Sequence, residues 1–215
     1  MKHVLLASGS PRREALLRTV GVVPSVKPQA VDETPLENES PQELVSRLSH
    51  IKAHAALENG DAQPGDIIIA ADTTVAFNGR ELGKPKDPDQ ARIMLHLLSG
   101  NTHTVSTGVS IVLVDETVPK FLAETTFVET AHVSFYPLSD AVIEAYIASG
   151  EPFDKAGSYG IQGRGSLLVD TIDGDYFTVV GLPLARTVRE LDLLLERYSR
   201  CESPFILSCL GGIHA

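Results

Sequence analysis

Seven residues constrain this chain more than any others: Gly65-Asp66-Ile67-Ile68-Ile69-Ala70-Ala71. The run is too continuously apolar for a strand with one wet face and too short for a helix, which places it inside a sheet covered on both faces. Asp72 follows at once, so the strand is expected to end there and deliver a carboxylate. Covering helices are predicted at three signals with one grammar. Ser10-Pro11, Ser40-Pro41-Gln42-Glu43 and Asp87-Pro88-Asp89-Gln90 each put an N-cap side chain before a proline whose fixed φ suits the first helical turn. The second and third also carry Glu or Gln where a capping box needs it. Amphipathic spacing predicts further helices over Ser139 to Ser149 and Leu184 to Tyr198, and β-branched runs predict strands at 104–114, 126–135, 166–172 and 176–180. The order implies an α/β chain with a mixed sheet flanked by helices.

A length of 215 residues is ample for one substantial core, and no repeat or linker divides the chain. A formal net charge of −10 argues against a broad nucleic-acid surface, which needs dense basic charge to displace counterions. The N-terminus, Met1-Lys2-His3-Val4-Leu5-Leu6-Ala7, is too short in apolar character for a signal peptide or membrane span and reads as the first strand. Cys201 and Cys209 can at most staple a tail, which fits a reducing, cytoplasmic setting. Residues 201–215 are expected to be a tail without fixed structure, following a single domain over 1–200.

The candidate chemistry starts at Ala7-Ser8-Gly9-Ser10-Pro11-Arg12-Arg13. Two arginines in a first helical turn oppose the helix dipole unless an anion sits there, and arginine forks match phosphate oxygens. Ser8 reads as a phosphate donor, since no G-x-S-x-G elbow or P-loop is present. Asp72 and Glu33 are candidate acids, and Lys52, Lys84 and Lys155 candidate cations. Lys155 lies in Asp154-Lys155-Ala156-Gly157-Ser158-Tyr159-Gly160-Ile161-Gln162-Gly163, where glycine recurs every third residue and permits tight turns near a ligand. His50 and His54 stand one helical turn apart, a zinc spacing, but the sequence indicates no third ligand, so no zinc site is expected there.

Taken together, Ala7 to Arg13, Ala71-Asp72-Thr73, Gly83-Lys84-Pro85 and Asp154 to Gly163 resemble the Maf family of nucleotide pyrophosphatases, in order and spacing, from about residue 3 to residue 198. The resemblance implies a fold similar to inosine-triphosphate pyrophosphatases, with a cleft between two lobes. It also implies hydrolysis of a nucleoside triphosphate to the monophosphate and pyrophosphate. Arg12, Thr73 and Gln162 match the subgroup acting on dTTP and UTP, and differ from the one acting on 7-methyl-GTP. On this reading Ser8, Arg12, Arg13, Lys52, Lys84 and Lys155 bind phosphates. Glu33 and Asp72 hold Mg2+ or Mn2+, and Asp72 activates water. The expected partner is a small nucleotide, with no nucleic acid or membrane and with a homodimer left open. The rival readings are a nucleotide-sensing regulator of cell division that does not hydrolyse its ligand, and a purine-selective pyrophosphatase.

Overall fold

A computed structural model describes residues 2–198 and 204–210. Seven strands form one mixed sheet, β1 (Val4–Leu6), β2 (Ser25–Val26), β3 (Ile67–Phe77), β4 (Arg80–Leu82), β5 (Thr102–Val114), β6 (Phe121–Phe135) and β7 (Val169–Asp173), in the order β2-β1-β3-β5-β6-β7 with β4 also on β3. The β1 pairings are parallel, the rest antiparallel. Ile67 to Ala71 are buried in the centre, as the apolar run requires. The strand does not end at Asp72, however. It continues to Phe77 because Thr73, Thr74 and Val75 suit extended backbone and β5 pairs with it from Ile67 to Ala76.

The helices α1 (Pro11–Thr19), α2 (Pro41–Glu58), α3 (Pro88–Leu98), α4 (Asp140–Ala148) and α6 (Leu184–Tyr198) occur where they are predicted. Ser40 and Glu43 close a reciprocal capping box on α2, whereas on α3 Gln90 turns back to the Lys86 N–H and only the Asp87 cap forms. Residues 176–180, predicted as a strand, are instead the short helix α5 (Tyr176–Val180). The Asp175 carboxylate accepts from the Phe177 and Thr178 N–H groups, and this cap outweighs the β-branched composition. In the tail, α7 (Phe205–Cys209) buries Phe205 against the core and caps its N–H on Asp192. Residues 199–203 and 211–215, which include the rest of the expected tail from 201 onward, lie outside the described residues.

Three apolar clusters share the sheet. Two cover the opposite faces of its first half, with Ala53 and Ala56 of α2 over Leu5, Ile68 and Val112 on one face, and Leu17 of α1 and Leu191 and Leu195 of α6 beside Ile69 and Ile111 on the other. The third gathers Val75, Val105 and Val133 under α3 and α4. Between them each long strand turns polar, with Asp72-Thr73-Thr74 on β3 and Ser106-Thr107-Gly108 on β5 in register, and Glu129-Thr130 beside them on β6. Two lobes and a cleft at their junction follow from that polar belt.

Candidate active site

The first turn of α1 lies at the carboxyl end of β1, the position where open α/β sheets receive ligands. Ser10 makes no side-chain cap on this helix start. Arg13 is more architectural than its sequence suggests. Its guanidinium donates to Ser8 Oγ at 2.9 Å, to Thr73 Oγ1 at 3.0 Å and to the Gly181 carbonyl at 2.8 Å. Burial lowers the Arg13 pKa from its ordinary value, against the opposing pull of the Asp72 carboxylate. Thr73 Oγ1 also lies 2.9 Å from Thr107 Oγ1, and Thr107 donates to the Thr178 carbonyl. Arg13 and the two threonines thereby tie α1, β3, β5 and α5 together beneath the cleft.

Asp72 stands on the α2 face of β3, directly opposite Gly108 of β5. A Cβ at Gly108 would lie 2.2 Å from the Val45 carbonyl, so only glycine lets α2 approach this closely. The approach brings Lys52 Nζ to 2.6 Å from Asp72 Oδ1 and 2.5 Å from Glu33 Oε1. Lys52 is buried, not the snorkelling surface lysine its place beside an apolar stripe suggests. Glu33 comes from an irregular loop that Arg47 secures, donating to both Glu39 oxygens at 2.6 and 2.8 Å and to the Thr34 carbonyl. The Arg47 fork holds the Glu39 carboxyl down at about 2.

The other lobe contributes through its glycine-rich segment. Gly157, at φ +68°, lies against Val75 and donates its N–H to the Gly83 carbonyl, which docks the segment on β4. The Lys155 stem crosses Gly160, and its ammonium meets Asp154 at 2.6 Å and the Glu151 carbonyl at 2.8 Å. Arg12 reaches the same Asp154 from the first lobe at 3.8 Å. Burial alone would raise the Asp154 pKa, but Lys155 and Arg12 hold it below the usual carboxylate value. Lys84 makes no ion pair with any described carboxylate, and Gln162 is exposed on the cleft rim.

Every site residue expected from sequence lines one cleft of about 590 Å³: Ser8, Arg12, Arg13, Glu33, Lys52, Asp72, Thr73, Lys84, Lys155 and Gln162. Two cleft acids are additional. Glu81 accepts from Thr74 Oγ1 at 3.1 Å, and Asp154 is described above. Neither is singled out as a site residue from sequence, where Glu81 looks like any solvated carboxylate and Asp154 only opens the glycine-rich segment. The cleft thus sets five cations against four carboxylates in a chain of net charge −10. Such a balance suits a polyanion that arrives with, or recruits, a compensating cation.

The family described as Maf-like protein matches residues 3–194. The chain belongs to the Maf family. A Bacillus cereus dTTP/UTP pyrophosphatase is 48% identical over 191 residues, covering 89% of this chain and 95% of that protein. A Bacillus anthracis protein of the same description matches at the same identity and coverage. Among solved structures, a HAM1 protein from Coxiella burnetii aligns with 92% of this chain and 100% of that one at 15% identity and a TM-score of 0.45. The Maf match spans both lobes, from β1 through most of α6, so the cleft lies wholly within it. No described helix of this Maf protein is long and apolar enough to cross a membrane.

Proposed function

We propose that this chain hydrolyses dTTP and UTP to the monophosphate and pyrophosphate, in the cytoplasm where those triphosphates are made and used. Its Maf relatives with that description are about half identical to it across nearly their whole length, and the cleft supplies the required groups. The observation that carries the reading is the meeting of Asp72 and Glu33 on a single Lys52 ammonium inside a cleft that also holds Arg12, Arg13, Lys84 and Lys155. A sensor of nucleotides needs the cations but has no use for two acids beside bound phosphate.

Arg12, Lys84 and Lys155 spread the charge of the triphosphate, while Ser8 and Arg13 shape the backbone around it. Asp72 orients the attacking water and accepts its proton, with Lys52 fixing the carboxylate's position. Glu33 and Asp72 already place oxygens around one shared cation, so their donor set fits a hard divalent ion such as Mg2+ or Mn2+. When bound, that ion would neutralise charge growing on the α-phosphate and the leaving pyrophosphate. Gln162, exposed at the rim, would read the pyrimidine edge through its amide.

Pyrophosphate release from UTP, dTTP, CTP, GTP, 7-methyl-GTP and ITP tests the proposal, with Asp72→Asn as control. Release is expected from dTTP and UTP first, with turnover in the variant reduced by roughly two orders of magnitude or more. Undiminished turnover in folded Asp72→Asn would remove the general-base role. Tight binding without release would favour the sensor, and preferential release from 7-methyl-GTP would reassign the subgroup.

A further inference from the structure

The helix that delivers Lys52 to the cleft carries two histidines on another part of its surface. His50 and His54 are one turn apart on α2, with ring centroids 4.4 Å from each other. The sequence offers them no third partner, but the sheet does. Glu124 on β6 pairs in register with Val112, whose side chain packs against α2, so the carboxylate faces the helix. Glu124 Oε2 lies 2.6 Å from His54 Nε2 and 3.6 Å from His50 Nδ1.

We propose that His50, His54 and Glu124 form a second cation site, separate from the cleft, that takes a zinc-class divalent ion. Among the described residues, these three are the set whose ligand atoms come within 4.8 Å of one another. Ligands about 2.0–2.2 Å from one tetrahedral centre are separated by roughly 3.5 Å. The His50–Glu124 separation already matches, and His54 need only withdraw from Glu124 by about an ångström as the ion replaces the shared proton.

Two imidazoles and one carboxylate suit zinc, nickel or cobalt and serve magnesium poorly, which prefers oxygen alone. All three side chains are partly exposed, leaving room for water at the remaining coordination position. The site opens on a shallow groove of about 830 Å³ whose rim carries Glu37, Glu39 and Glu43 against the single cation Arg47, so the local field draws cations in. Ligands split between α2 and β6 make the bound ion a clamp between helix and sheet. This inference does not rest on the nucleotide reading, because none of the three residues lines the cleft.

The test uses chelator-treated protein held in excess Mg2+, so that oxygen-only sites are filled, and titrates Zn2+ by calorimetry in the wild type, His54→Gln and Glu124→Gln. One Zn2+ per chain is expected in the wild type, weakened roughly tenfold or more in each variant. The Tm should rise with Zn2+ in the wild type but not in the variants, with Mg2+-supported turnover unchanged in all three. Absence of Zn2+ binding in the wild type, or equal affinity in the wild type and both variants, would overturn the site.

Discussion

His103 on β5 is a titratable group buried inside the second lobe, edge-on to the ring of Phe135 at 5.1 Å and to that of Tyr159 at 5.3 Å. Its Nε2 lies 2.7 Å from the Tyr159 hydroxyl, and its Nδ1 has no hydrogen-bond partner among the described residues. Burial pushes its pKa down to about 4, so the folded chain holds it neutral. An unfolded chain protonates it near 6.5. Between those values the unfolded state binds more protons, so this group's contribution to stability is full above about pH 6.5 and is lost as pH falls toward 4. From pH 7.5 to pH 5 it removes about 2 kcal/mol. His103→Gln keeps a polar contact for Tyr159 without the titration. Urea unfolding at the two pH values should therefore show a loss smaller by about that amount in the variant. An unchanged loss would mean that other groups set the acid limb.

The elements are placed by contacts between them as much as by their own sequences, and Gly108 shows how sharply. The residue opposite the proposed base has no side chain because the α2 backbone occupies that space. Gly108→Ala must push α2 off the sheet, since the contact is with a carbonyl and not the tip of a flexible side chain. A loss of about 1–3 kcal/mol in unfolding free energy is expected from overpacking. Turnover should fall by about a hundredfold as Lys52 leaves Asp72, and near-wild-type turnover would show that their contact is dispensable. None of this is visible in sequence, where Gly108 is one more glycine in a β-branched run. Helix starts and the buried strand were legible because caps, prolines and apolar runs act locally. Arg12 and Arg13 were legible because two cations in a first helical turn oppose the helix dipole, whereas Glu33, Lys52, Asp72 and Lys84 drew their roles from the resemblance to the Maf family. What escaped depends on distant pairing: the extension of β3 past Asp72, set by β5, and the meeting of Glu124 with two histidines across α2 and β6. The strand assigned to residues 176–180 failed for the opposite reason, a local cap at Asp175 given less weight than composition.

Across the whole molecule, the apolar clusters of the two lobes are joined by a sheet that turns polar where they meet, and the cleft is built on that seam. Each lobe brings cations to it, Arg12 from the first turn of α1, and Lys84 and Lys155 from the loop after β4 and the glycine-rich segment docked on it. Asp154 lies between Arg12 and Lys155 and occupies both with one exposed carboxylate. If a triphosphate must displace that carboxylate to reach the two cations, Asp154 competes with substrate. Removing its charge in Asp154→Asn should then lower KM for dTTP by roughly two- to fivefold at low ionic strength, the scale of a solvent-exposed pair. The gain should shrink as salt is raised, because at about 0.01 M the screening length is roughly 30 Å and at 1 M only about 3 Å. The opposite outcome has an equally definite meaning. A raised KM at every salt concentration would show that Asp154 holds Lys155 where the phosphate needs it, so that the carboxylate between the lobes works as a positioning group and the cleft's positive charge is limited by geometry.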